Sequence, residues 1–283
     1  MIKTAIASQS WFFFCAILFG YQIESLLLVW IFYYRGAETR KQWKVQPAKD
    51  GGLGNVWIHP LLSSKPQRAW MHKQITGLNL LLASFFAGTC CELAVRGYSS
   101  LNFEMLPLNK SKPENINSFY DMLDYLTRLT FYGCELSTFA HSAGLFVVQL
   151  TLSVAYQSVL EYYWHLLMHL PWFYRTFHKI HHTLKAPEVW DDLYIHPVEA
   201  CGYYVILYSP AFVINMNIIS FLSYMALLGV AGVVDHSGIR LAIPGLYDSR
   251  DHDRHHQYTN VNYAFPFPFL DILGGTYMEK EER

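Results

Sequence analysis

Charge is scarce in this chain. Only 15% of its 283 residues are Asp, Glu, Lys or Arg, against about 25% in ordinary soluble proteins. Their place is taken by hydrophobic residues, at 52%, and aromatic ones, at 17%, a composition that reads as a membrane protein. The net charge of −1 supplies no basic field and excludes any composition-based case for a nucleic-acid partner. Cysteine is sparse as well. Cys15, Cys90, Cys91, Cys134 and Cys201 are odd in number and mostly sit in apolar stretches, which points to packing and against a disulfide framework or a Cys-based zinc site. There is no internal repeat, no low-complexity tract, and no linker that would set off a second domain.

What the chain has instead is long apolar runs. Trp11 to Tyr34, Ile75 to Val95 and Ala143 to Tyr163 each match the roughly 20 residues that cross a bilayer core, whereas Cys201 to Val234 is too long for one ordinary span. The last run is therefore expected to form two helices, broken near Pro210 or at Asn215 to Asn217. The first run is longer than a secretory h-region, follows only Lys3 and lacks a small-residue cleavage site, so it reads as a retained anchor. The expected fold is all-α: about four spanning or re-entrant segments with a hairpin partner, and a polar helical cap. Residues 1–140 read as an amino-terminal anchor region and 141–283 as the catalytic region.

Arg35 to Lys73 holds eight Lys and Arg residues, which places this segment in the cytosol by the positive-inside rule. Arg96 to Ser142 then becomes a lumenal loop, and its Asn109-Lys110-Ser111 acceptor for N-glycosylation agrees mildly with that side. The third span returns to the cytosol just before His165.

Ten of the thirteen histidines lie between His165 and His256. They fall as His165-x3-His169, His178-x2-His181-His182 and His252-x2-His255-His256, with His196 and His236 standing singly. A basic, lipid-facing or solvated surface would account for any one group, but not for the same i, i+3, i+4 spacing twice. Imidazole is a ligand for iron, zinc, copper or nickel, and helical residues three or four apart share one face, about 5–6 Å apart. One zinc is satisfied by three or four ligands, so eight to ten histidines suit two ions. Two groups precede the Cys201 to Val234 run and one follows it, so a shared site requires an even number of passages there.

The expected ligands are His165, His169, His178, His181, His182, His196, His236, His252, His255 and His256. Candidates to accept the second ring N–H are Asp191, Glu199, Asp235, Asp251 and Asp253, with Asp192 also nearby. His59, His72 and His141 have no partner at ligand spacing and are left out. Pro171 should end the third helix, Phe173 to His182 should form a short helix, and a last helix should carry Asp251 to His256.

The order of the groups on a multi-span chain resembles the fatty acid hydroxylase/sterol desaturase superfamily of membrane di-iron oxygenases. The likeness runs from about Tyr156 to Tyr277 and includes Tyr163-Trp164-His165, Phe177 to His182, Ala186-Pro187, His196-Pro197-Val198-Glu199, Asp235-His236-Ser237-Gly238, His252 to His256, Asn262-Tyr263 and Gly275-Thr276. The His-Pro-x-Glu and Asp-His-Ser-Gly elements look most like the C4-methylsterol oxidase branch. Leu166, Ala264 and Leu270 depart from common family residues while sparing the histidines.

The resemblance implies two Fe ions, O2 as co-substrate, and oxidation of an unactivated C–H bond in a sterol, fatty acyl or terpenoid-like lipid. It also implies the endoplasmic reticulum membrane, with the histidines facing the cytosol. No segment resembles a cytochrome b5 or a flavin reductase, so electrons from NADPH are expected through a separate cytochrome b5 or reductase. Affinity alone does not select iron, so zinc can occupy purified protein. A desaturase of the same superfamily is the near alternative. A zinc-dependent membrane hydrolase lacks its H-E-x-x-H here, and a non-catalytic metal-binding or transport protein should carry its ligands within the spans.

Glycosylation scanning is expected to modify acceptor sites in the Arg96 to Ser142 loop and none near His178 or His252. The opposite labelling would invert the topology.

Overall fold

In the computed structural model, which describes residues 2–35, 39–47, 66–102 and 136–278, four helical stretches are long and apolar enough to cross a membrane. They are Ser10–Arg35, Trp70–Val95, Ala143–Met168 and Ile218–Asp235. The first belongs to helix α1 (Ile2–Leu28) and the π-helical turn Val29–Arg35 that continues it. A short helix α2 (Arg40–Trp43) follows, then α3 (Pro66–Val95), which lies against α1. Ser10 donates to Glu92 at 2.9 Å, so the start of α1 meets the end of α3 and the two run antiparallel. The Asn109 acceptor, Lys49 and Lys65 lie outside the described residues.

The third long helix, α4 (Leu136–Met168), ends just before Pro171, which opens helix α5 (Pro171–Thr176) at its first turn. There a missing N–H costs nothing and the fixed φ suits a helix. The expected single helix from Phe173 to His182 is in fact two pieces, because Phe177 closes α5 and His178–Thr183 winds as a 3-10 helix.

The Cys201 to Val234 run breaks where expected and uses both signals. Helix α6 (Pro197–Tyr208) gives way to the single turn α7 (Pro210–Val213). Helix α8 (Ile218–Asp235) then starts from an Asn217 cap whose Oδ1 accepts from the Ile219 N–H at 2.8 Å. At 12 residues, α6 is about 18 Å long and cannot alone cross a hydrocarbon core of about 30 Å. α6 and α8 thus form a hairpin that leads the chain away from the histidine end and back to it.

Strand content among the described residues is confined to two two-residue pairs. Leu101–Asn102 (β1) pairs in parallel with Met216–Asn217 (β2), and Ala242–Ile243 (β3) pairs antiparallel with Tyr247–Asp248 (β4). The cap is completed by α9 (Ser249–Tyr258), started by Asp248, and α10 (Phe269–Gly274).

The main core joins α3, α4, α6 and α8 through Ala83, Ala87, Val154, Ala200, Tyr204, Phe221, Tyr224 and Leu228. Much of the remaining apolar surface stays outward, including Trp11, Phe19, Phe85 and Val147, as a lipid-facing bundle requires. Small residues set the closest helix approach. A Cβ on Gly202 of α6 would fall inside the Trp164 ring of α4.

Gly202→Leu should therefore push α6 off α4, at a cost of about 1–3 kcal/mol and a melting temperature lower by about 3–10 °C in detergent. A thermal melt checks this; an unchanged midpoint would show that the α4–α6 contact is not close-packed.

Candidate metal centre

Every element that carries a cluster histidine ends or begins on one side of the bundle. α4 brings His165 and His169 on successive turns, with ring centroids 5.1 Å apart. The 3-10 helix brings His178, His181 and His182, the end of α8 brings His236, and α9 brings His252, His255 and His256. Nine imidazoles converge in two groups: His165, His169, His178, His182 and His255 in one, and His181, His236, His252 and His256 in the other. Within each group the candidate ligand atoms all lie within 4.8 Å of one another.

The two H-x2-H-H elements do not each serve one spot, as the spacing alone suggested. Both are divided between the groups, in opposite senses. His178 and His182 face the first group and His181 the second, whereas His252 and His256 face the second and His255 the first. On α9 the two rings four apart share a face and the middle ring turns to the other side; on the 3-10 helix, where residues three apart eclipse, His178 and His182 still fall in one group and His181 in the other.

The second ring nitrogen is tied down with a clear bias. His165 Nδ1 meets Tyr263 O at 2.8 Å, His181 Nδ1 meets Tyr194 O at 3.3 Å, and His236 Nδ1 meets Gly232 O at 2.9 Å. His255 Nδ1 meets Val261 O at 2.7 Å, and His256 Nδ1 meets Leu184 O at 2.8 Å. A carbonyl oxygen only accepts, so each of these nitrogens carries the proton and each Nε2 keeps its lone pair. His178 Nδ1 is held by Glu199 Oε1 at 2.6 Å, with both side chains buried.

Of the five expected acids, Glu199 is joined to a cluster histidine in this way. Asp191 pairs with His72 at 2.8 Å, Asp235 accepts from Tyr247 in a short bond, and Asp253 accepts from Gln46 and Gln257 at 2.7 Å. Asp251 offers its backbone carbonyl to Asn262. Carbonyls of the loops after the 3-10 helix and after α9 take this place for His165, His181, His255 and His256, and a helical carbonyl of α8 for His236.

His196 is corrected more fully. It joins neither group: it caps α6, its Nδ1 accepting from the Val198 N–H at 3.2 Å, with its ring against Phe177. The residue before Pro197 is held extended, at φ −66 and ψ 135, and that backbone aims a side chain at the helix start.

The donor set fits metal ions on the structure's own terms. His181 and His236 spend both Nδ1 protons on carbonyls, yet their Nε2 atoms face each other at 3.2 Å. Two lone pairs at that distance repel unless a cation lies between them. His169 Nε2, His182 Nδ1, His252 Nδ1 and His256 Nε2 are buried with no hydrogen-bond partner, each a loss of about 1–3 kcal/mol if nothing binds it.

Tyr263 was quoted in the motif but not among the expected site residues. Its ring packs against His165, His169 and His255 at 5.5, 4.8 and 5.3 Å, and its backbone N–H is held by Asp271 at 2.8 Å. Tyr174 closes another side beside His169 and His182. The Asn262-Tyr263 and Gly275-Thr276 elements were the available signal: Thr276 donates to the same Asp271.

Comparison with known proteins agrees with this geometry. The family model described as Fatty acid hydroxylase matches residues 150–276, the histidine-bearing part of the chain. Fatty acid hydroxylase domain-containing protein 2 of Homo sapiens is 32% identical over 133 residues, 46% of this chain and 39% of that protein. Methylsterol monooxygenase erg25A of Aspergillus fumigatus is 29% identical over 134 residues, 43% and 44% of the two chains. Delta(7)-sterol 5(6)-desaturase of Leptosphaeria maculans is 22% identical over 261 residues, 85% of this chain and 72% of that one. The chain thus spans about two fifths of the length of the human relative it matches. No solved structure matches.

Burial drives the imidazoles toward neutrality. It pushes His236 down to about 4, and it holds His181, His252, His255 and His256 well below the ordinary range, with neighbouring imidazoles adding to the effect. Unfolded, these side chains take up protons near pH 6.5. Below that value the unfolded state binds more protons than the folded one, so stability is complete above about pH 6.5 and is lost as the pH falls toward 4. Metal-stripped protein should melt at progressively lower temperature at pH 7.5, 6 and 5; a flat series would contradict the burial of neutral rings.

Proposed function

We propose that the chain is a membrane-bound non-haem di-iron oxygenase that hydroxylates or oxidises an unactivated C–H bond, including a methyl group, of a sterol, fatty acyl or terpenoid-like lipid. The observation that carries this is the pair of imidazole groups at the end of a bundle of apolar helices. In this reading His165, His169, His178, His182 and His255 hold one ion, and His181, His236, His252 and His256 the other. The chemistry that two bound iron ions would supply there is the activation of O2, which no side chain can perform. His196 is outside the set.

The chain's own residues bind, orient and protect. Five backbone carbonyls and Glu199 keep the ring protons on Nδ1, so every tethered Nε2 faces inward. Tyr263 and Tyr174 wall the first group, and the apolar helices beside it exclude bulk water and offer a lipid its own solvent. The relatives bear names of sterol monooxygenase and desaturase, which supports lipid oxidation and leaves a desaturase outcome to product analysis. The histidine end is assigned to the cytosol, at the endoplasmic reticulum, where cytochrome b5 or a reductase delivers electrons from NADPH. Residues 141–283 are the catalytic region and 1–140 the anchor region of this enzyme.

Purified protein supplied with ferrous iron, cytochrome b5, its reductase and NADPH should consume O2 with a sterol or fatty acyl substrate and return an oxygenated product by mass spectrometry. His169→Ala and His255→Ala should each lower bound iron and cut turnover by about 100-fold or more, while His59→Ala should retain both. Equal iron in all four proteins would remove these histidines as ligands. A product bearing a new double bond in place of a hydroxyl would select the desaturase reading.

A further inference from the structure

The family match begins at residue 150, yet polar side chains from well before it reach into the histidine cap. Buried Lys44 Nζ meets Glu188 Oε1 at 2.5 Å. Gln46 Nε2 donates to Lys185 O at 2.9 Å and to Asp253 Oδ1 at 2.7 Å. Tyr33 donates to Ser237 O at 2.5 Å, the Val45 N–H to Gly238 O at 2.9 Å, and the Arg240 N–H to Trp43 O at 2.6 Å. Gly238 sits at φ +69 beside Tyr33, Lys44 and Pro187 O, where a side chain would be strained and crowded. Fully buried His72 holds Asp191, whose other oxygen accepts from the Glu188 N–H. Asn79 donates to Leu193 O and Ile195 O, both at 2.8 Å.

These contacts are not spread evenly over the two imidazole groups. The segment they fasten, from Leu184 to Ile195, supplies the carbonyls that orient His256 and His181. Ser237 and Gly238 directly follow His236, and Asp253 directly follows His252. All four are members of the second group. The first group is oriented by Tyr263 O, Val261 O and Glu199, all from the carboxy-terminal half, and the contacts just described touch none of those three.

We propose that Lys44, Gln46 and His72 form an amino-terminal clasp that sets the metal affinity of the second group alone, making one ion of the pair dependent on a part of the chain outside the family domain. This rests on the metal-pair reading above. The clasp residues are positioning residues: each acts through a backbone segment and none touches a metal. Loosening them lets the Leu184 to Ile195 carbonyls drift, which frees the His181 and His256 rings to turn and weakens binding there. His165, His178 and His255 keep their own tethers.

The test is iron per chain by elemental analysis on full-length, detergent-purified protein loaded with ferrous iron. Lys44→Met is combined with Glu188→Gln so that no charge is left buried alone. Gln46→Leu serves as a second, milder variant, and melting temperature verifies that each folds. At a free iron concentration just sufficient to fill both sites of the unchanged protein, each should fall from about two irons per chain to about one, with affinity for the weaker iron lowered about 10- to 100-fold. Adding His252→Ala to Gln46→Leu should remove no further iron, because both act on the second group. Adding His178→Ala should take the remaining iron. Two irons retained in both clasp variants, or loss of both irons together, would overturn the clasp. Wild-type protein that never binds two irons would overturn the metal-pair reading itself, and the clasp with it.

Discussion

The tether between an imidazole N–H and a backbone carbonyl is the constraint on which the rest of this structure depends. Five rings are fixed in this way, and a sixth by Glu199. Each tether sets a tautomer and turns a lone pair inward. The arrangement is unfavourable when empty, since lone pairs face one another and several ring nitrogens stay buried without partners. Such a donor set could hold metal ions, and burial favours the neutral rings that ligation requires.

The same constraint explains the odd division of the histidine elements. Two H-x2-H-H sequences, one on a 3-10 helix and one on α9, each send the outer two rings to one group and the middle ring to the other. Because the two elements face each other in opposite senses, they interleave. Neither group can form from one element, so the centre requires that α4, the cap and the return of α8 all meet. The α6–α8 hairpin makes that meeting possible: it takes the chain into the apolar bundle and brings it back with His236 at its end.

Around this centre lies a second layer that is largely the work of the first eighty residues. Lys44, Gln46, His72 and Asn79 reach across to the segment between His182 and His196. They lie outside residues 150–276, the part that the family model matches. Their chemistry is ordinary, a buried ion pair, amide bonds to carbonyls and a buried histidine–carboxylate pair, but their placement relative to the two groups is one-sided.

Sequence alone determined the membrane class, the four long apolar helices, the break at Pro210 and Asn217, the even passage and the identity of nine converging histidines. These follow from composition and from periodicities that are local: about 20 apolar residues span a bilayer, and imidazoles three or four apart share a helical face. Only the tertiary structure decided how the rings divide between two groups, that carbonyls and Glu199 orient them while Asp191, Asp235 and Asp253 turn elsewhere, and that His196 caps a helix. It also decided that His72, which has no partner at ligand spacing, is buried against Asp191, 119 residues away. For the carbonyl tethers the physical reason is that a carbonyl oxygen is present at every residue and carries no side-chain signature, so the spacing of side chains along the sequence does not encode which ring it meets; for His72 it is packing across 119 residues.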